Sequence, residues 1–107
     1  MYLDEICDFC VSLPFAEETQ PFGPDHIVYK VNGKMFLLVG IEETPIRFNV
    51  KCNPERAIQL REEFPNDVLP GWHMNKKHWN TIIVGAGLTR AQLEDMIRHS
   101  YELVVGR

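Results

Sequence analysis

Asn32-Gly33 restricts this chain more than any other pair of residues. It stands between two runs of β-forming residues, His26 to Val31 and Lys34 to Ile41. A type I′ turn needs positive φ at both central positions, which Asn and Gly tolerate best, so the pair predicts a tight hairpin. The returning run Met35-Phe36-Leu37-Leu38-Val39 is apolar on both faces, as expected of a central strand. Residues 46–52 then alternate strictly. Ile46, Phe48, Val50 and Cys52 point one way, and Arg47, Asn49 and Lys51 point the other. That pattern predicts a half-buried antiparallel strand with a polar outer face.

A sheet with one apolar face needs a covering layer, and three segments offer helices. Residues 2–13 place Leu3, Ile6, Cys7, Cys10 and Leu13 on one stripe, and Pro14 ends the run. Asn53-Pro54-Glu55 is a helix start, with Asn as cap and Pro at the first helical position. Ala57, Leu60 and Phe64 form its stripe, and Pro65 closes it. The last helix begins with a Thr89/Gln92 capping box and a Leu88/Leu93 staple. Leu93, Met96, Ile97, Tyr101 and Val104 form its core stripe, and Gly106 is its expected C-cap.

Two connections are read less directly. Residues 14–25 hold three prolines and Gly23, a loop or extended arm in which Phe22 is expected to tuck into the core. Pro70-Gly71 marks a turn, and His78 to Val84 reads as a strand. Trp72 to Met74 is expected to pair with that strand across a tip at Asn75-Lys76-Lys77. The expected fold is α+β: a two-layer sandwich, an antiparallel sheet with helices on one face, in the order α-β-β-β-α-β-β-α.

Composition narrows the class. With 107 residues, 45% hydrophobic and 24% charged, the chain fits one globular domain over 1–107 and excludes an intrinsically disordered one. No apolar run approaches a membrane span, so no membrane partner is expected. The start Met1-Tyr2-Leu3-Asp4-Glu5 is acidic where a secretory signal is basic, so a cytoplasmic protein is expected. Three cysteines, an odd number, argue against a disulfide framework. A monomer is expected by default, since no long exposed apolar stripe is evident.

Charge is uneven. Residues 1–26 carry six acids and no Lys or Arg, residues 27–69 balance, and residues 70–107 carry five bases against three acids. The net charge of −4 is far from that of a dedicated nucleic-acid domain, so any such binding needs a local patch.

Few residues suggest catalysis. Cys7-x-x-Cys10 lies inside a helix with no strand before it, unlike a thioredoxin motif, and both sulfurs share the apolar stripe. His73 and His78 lie over sixty residues from that pair, the wrong spacing for a zinc finger. Cys52 precedes a helix start, where a thiol can become acidic, but it shares a face with Ile46, Phe48 and Val50. Glu42-Glu43 and Glu62-Glu63 read as solvated turn and helix surface. There is no nucleophile elbow, phosphate loop or dinucleotide fingerprint. The expectation is a non-enzymatic protein with no cofactor, no metal and no catalytic residue.

The unusual stretch is residues 70–81, with two Trp, two His, two Lys and two Asn. Cations neutralise phosphates, aromatic rings stack on bases, and Asn reads base edges or backbone. The row Arg47, Asn49, Lys51 is a second polar surface. If it shares a face with Lys76 and Lys77, four cations converge, for a salt slope of roughly −3 to −4.

Residues 21–25 (PFGPD), 34–36 (KMF), 49–54 (NVKCNP), 70–80 (PGWHMNKKHWN) and 99–104 (HSYELV) together resemble the MmcQ/YjbR family, in register over nearly the whole chain. The resemblance implies a CyaY-like α+β fold, shared in outline with frataxin, and a DNA-binding role described as a double wing. Carried onto this chain, it points to Arg47, Asn49, Lys51, Lys76, Lys77, His78 and Trp79. Trp72, His73 and Asn75 complete the candidate nucleic-acid surface. The first expectation is therefore weak DNA binding of low specificity. The alternative is binding of a small anionic ligand or a protein partner on the same Asn-Lys-Lys-His-Trp surface. A frataxin-like cation site on Asp4, Glu5 and Asp8, with Glu17 and Glu18 nearby, ranks last, because a surface helix rarely converges enough oxygen ligands.

Overall fold

Asn32 and Gly33 adopt φ of 53° and 75°, the positive values a type I′ turn demands. That hairpin joins the strands His26–Val31 and Lys34–Gly40 in the computed structural model, which describes residues 1–85 and 87–106. The elements run α1 (Leu3–Ser12), β1 (Glu17–Thr19), β2 (His26–Val31), β3 (Lys34–Gly40), β4 (Arg47–Lys51), α2 (Pro54–Glu63), β5 (Val68–Pro70), β6 (Trp79–Ile83) and α3 (Arg90–Val105). The strands form one antiparallel sheet in the order β1-β2-β3-β4-β6-β5. The α+β reading holds, with one strand more than the sequence indicated.

Register decides which side chains share a face. Tyr29, Leu37, Val50 and Asn80 lie opposite one another across β2, β3, β4 and β6. Val39, Phe48, Ile82 and Val68 form the next such row. The apolar members of both rows are buried with Ile6 and Cys10 of α1 and with Leu93, Met96 and Ile97 of α3. That is the helix-covered face. Between these rows, Thr19, Val28, Leu38, Asn49, Thr81 and Leu69 cross the whole sheet on the other face.

Several local signals act as expected. Asn53 caps α2, its Oδ1 accepting from the N–H groups of Glu55 and Arg56. Thr89 and Gln92 close the capping box on α3, and Gly106 ends it in the left-handed region at φ 99°. Leu88 and Leu93 are both buried, as a staple requires. A buried hydroxyl stitches α3 to the sheet. Ser100 Oγ donates to Phe36 O at 2.6 Å and accepts from Lys51 N at 2.8 Å.

Three expectations are corrected. The arm 14–25 contains strand β1, three residues long and mostly acidic, so it carries no apolar alternation to betray it. Glu18 Oε1 accepts from the buried Tyr29 hydroxyl at 2.8 Å, which gives that polar tip a partner. Phe22 is 64% exposed and lies on the helix-free side instead of in the core. The partner of β6 is Val68–Pro70, and Trp72–Met74 belongs to a turn. A left-handed backbone at His73 (φ 60°) is incompatible with an extended strand there.

The cysteines are unpaired. Cys10 and Cys52 are buried and Cys7 is half-buried, and loss of solvent pushes all three thiols up. Among the described residues, no helix is long and apolar enough to cross a membrane.

Candidate functional site: a cavity on the helix-free face

The free side of the sheet is not flat. The arm after β1, the β3–β4 connection and the turn after β5 rise around it and leave a cavity of about 560 Å³, within the size range of small-ligand sites. Met35, Leu38 and Gly40 of β3 line it together with Arg47 and Asn49 of β4 and Thr81 of β6. Phe22 lines it from the arm, and Trp72, His73 and Met74 from the turn. His26 and Glu43 complete it.

The turn is held in place by its backbone. Gly71 N–H donates to Trp79 O at 2.9 Å, extending the β5–β6 ladder by one residue. A Cβ at Gly71 would lie 2.8 Å from Trp79 Cβ and 2.9 Å from Trp79 O, so only glycine allows this approach. Trp72 N–H donates to Thr81 Oγ1 at 2.9 Å, and Thr81 in turn donates to Asn49 Oδ1. The Trp72 and His73 rings stack at 5.0 Å, and the Arg47 guanidinium lies 5.6 Å from the Trp72 ring centre. This cation–π contact fixes the guanidinium over the cavity. Arg47 Nε is buried and has no hydrogen-bond partner. Among the described residues Arg47 forms no ion pair. A donor buried without a partner is costly and uncommon in native proteins.

A match to the YjbR family model covers residues 11–103, most of the chain. The chain belongs to the YjbR family. The uncharacterised protein YbdF of Escherichia coli O157:H7 is 38% identical over 95 residues, covering 89% of this chain and 77% of YbdF. The uncharacterised protein YjbR of Escherichia coli K12 is 30% identical over 105 residues, covering 98% of this chain and 88% of that one. The crystal structure of Deinococcus radiodurans protein DR2400 superposes with a TM-score of 0.93 at 35% identity, covering 98% of this chain and 79% of that one. A Pseudomonas syringae protein shares the fold at a TM-score of 0.79 and 23% identity, covering 97% of this chain and 99% of that one.

In this YjbR-family chain the candidate residues divide into two groups. Arg47, Asn49, Trp72 and His73 meet at the cavity. Asn75, Lys76, Lys77, His78 and Trp79 do not line it. Lys51 lies opposite Trp79 on the same face, beyond the cavity. Lys76 Nζ folds back to donate to Gly71 O at 3.3 Å, and Asn75 Oδ1 accepts from Lys77 N at 3.0 Å. The backbone carbonyl of His78 accepts from Cys52 N at 2.8 Å.

Sequence reasoning overlooked several participants. Glu43 was expected at a solvated turn, yet its carboxylate folds over Gly40 at the cavity. Phe22 was assigned to the core. Arg61 of α2 drew no attention, though it ties down the turn: its Nε donates to Asn80 Oδ1 at 2.7 Å and its terminal nitrogen to Lys76 O. The strict alternation of residues 46–52 was the available signal, since it places Arg47 and Asn49 on the outer face, where Asn49 lies between Leu38 and Thr81.

Proposed function

We propose that the chain is a non-enzymatic binding module for a small organic anion, held in the cavity on the helix-free face. The observation that carries this reading is Arg47. Its guanidinium is set over Trp72, and its buried Nε has no partner in the protein. A carboxylate or phosphate oxygen bound at the guanidinium from the cavity would give its charge a partner, and charge-assisted bonds to guanidinium are among the stronger ones available. The walls suit an organic body more than a bare ion, since Met35, Leu38, Phe22 and Trp72 are apolar or aromatic. The test uses the Arg47 Nε–H resonance, observed by NMR while small aromatic and aliphatic carboxylates and phosphates are titrated in. A saturable shift at Arg47 Nε–H, lost in Arg47→Gln, supports the reading. Silence at that resonance across the series would sink it.

DNA binding is the second reading, and Lys51 lying beside Trp79 on the same outer face favours it. With the exposed Lys77 and with Arg47, this offers a few cations and one stacking ring. Its signature is a salt slope of roughly −3 on a short duplex. A compact ligand held by one guanidinium has a slope of about −1 or shallower, so titration at two salt concentrations separates the two readings. A reducing cytoplasmic setting and a monomeric state go with either reading; the three unpaired cysteines support the former.

A further inference from the structure

We infer that the ligand of this cavity is a zwitterion of the aromatic amino-acid class, with its carboxylate on Arg47 and its ammonium on Glu43. The inference rests on the small-anion reading and extends it by giving Glu43 a role. Gly40 ends β3, opposite His26 of β2. On the other side, Val39 is opposite Phe48, so the next residues along the two strands are Gly40 and Arg47. Gly40 lacks a Cβ, and the Glu43 side chain fills that space: a Cβ there would lie 2.8 Å from Glu43 Cδ. A carboxylate is thus laid onto the sheet beside a guanidinium, both lining one cavity.

The two charges do not pair. Among the described residues the ion pairs are Arg56–Asp95, Arg90–Glu5 and Arg90–Glu94, and Glu43 and Arg47 are in none of them. Nor does the Glu43 carboxylate accept any of the side-chain hydrogen bonds among these residues, while Arg47 Nε is left without an acceptor. Opposite charges that share a cavity and stay apart leave room for a ligand carrying the complementary pair. A ligand with an acid alone would satisfy Arg47 but leave Glu43 unpartnered, so it is held less tightly than one carrying both charges. The body of the ligand is set by Phe22 and Trp72. They are 64% and 55% exposed while lining the cavity, so a flat apolar group can cover ring surface that now faces water.

Isothermal titration of the intact protein near neutral pH, at low salt, with three probes tests this. L-phenylalanine carries both charges, 3-phenylpropionate only the acid, and 2-phenylethylamine only the amine. L-phenylalanine is expected to bind at least about tenfold more tightly than either, the factor a single charge-assisted bond supplies. Glu43→Gln should remove that advantage while leaving 3-phenylpropionate unchanged or stronger. If 3-phenylpropionate binds as tightly as L-phenylalanine, and Arg47→Gln abolishes both, the zwitterion inference falls and the small-anion reading stands. If neither acid binds in an Arg47-dependent way, both fall. Preference for 2-phenylethylamine overturns both as well. The probe series on the unmodified chain decides the zwitterion preference by itself, and Arg47→Gln decides the small-anion reading.

Discussion

Gly71→Ala and Gly40→Ala should behave in opposite ways, although each adds one methyl group at a crowded glycine. At Gly71 the new Cβ would meet Trp79 Cβ at 2.8 Å, Trp79 O at 2.9 Å and Met74 Cβ at 3.0 Å. Two of these atoms belong to Trp79, in a strand paired on both sides, and the third is the rigid root of a side chain. The Trp79 atoms cannot yield without moving the β5–β6 ladder, and Met74 cannot yield without moving the turn. Forcing a methylene into a packed site costs about 1–3 kcal/mol, and the lower entropy of unfolded alanine returns about 0.4–1 kcal/mol. The net loss is about 1–2 kcal/mol. In a domain of this size that lowers Tm by about 4–16 °C. At Gly40 the obstacle is the far end of Glu43, a flexible side chain that can swing into solvent. Only the entropy term then remains, so Gly40→Ala should melt within a few degrees of the parent chain or slightly above it. Circular dichroism melts of the three proteins decide the matter. Equal losses at both glycines, or a Gly71→Ala protein as stable as the parent, would refute the reasoning.

Ser100→Ala should cost about 2–4 kcal/mol in a urea melt, because it strands both Phe36 O and Lys51 N–H at the junction of α3 and the sheet. His99 Nε2 accepts from Asn53 N–H at 3.2 Å, and burial, then the Arg56 guanidinium, hold its pKa below the usual value against the pull of Asp95 and Glu102. The unfolded chain therefore takes up the proton first, and stability should fall as pH drops from about 6.5 towards the folded-state pKa. A Tm-against-pH series should lose that slope in His99→Gln. Burial raises the thiols of Cys10 and Cys52, so in the native protein both should react slowly with a thiol reagent at pH 8 and rapidly after unfolding.

The legible parts of the fold were those in which one local rule acts alone. Asn32-Gly33 demands positive φ wherever it occurs in a hairpin, and the alternation of residues 46–52 survives in the burial of Phe48, Val50 and Cys52. The caps at Asn53 and Thr89 need only their own first turn. The illegible parts depend on distant partners. Glu17–Thr19 is a strand only because Val28 to Lys30 offers an edge to pair with, so its own polar residues predict nothing. Residues 72–74 looked extended, but Gly71 had already joined the ladder and the chain had to turn. For the candidate site, the strand side was visible, since Arg47 and Asn49 fall on the outer face by parity alone. The loop side was not. Neither Phe22 nor Glu43 carries a local signal of where its loop folds over the sheet, and composition favours core for the one and solvent for the other.

The two ends of the sheet have a consequence for strand-to-strand association between copies of the chain. The outermost strands, β1 and β5, are each three residues long, while the four between them run to five, six, seven and five. One edge presents Glu17 and Glu18, and the other finishes in Pro70, which has no N–H to donate. A neighbouring chain seeking to extend the sheet would find few free backbone groups, like charges at one side and a missing donor at the other. The apolar inner strands, which would otherwise be the most aggregation-prone part of the molecule, are thus kept away from strand-to-strand contact by two of its shortest elements.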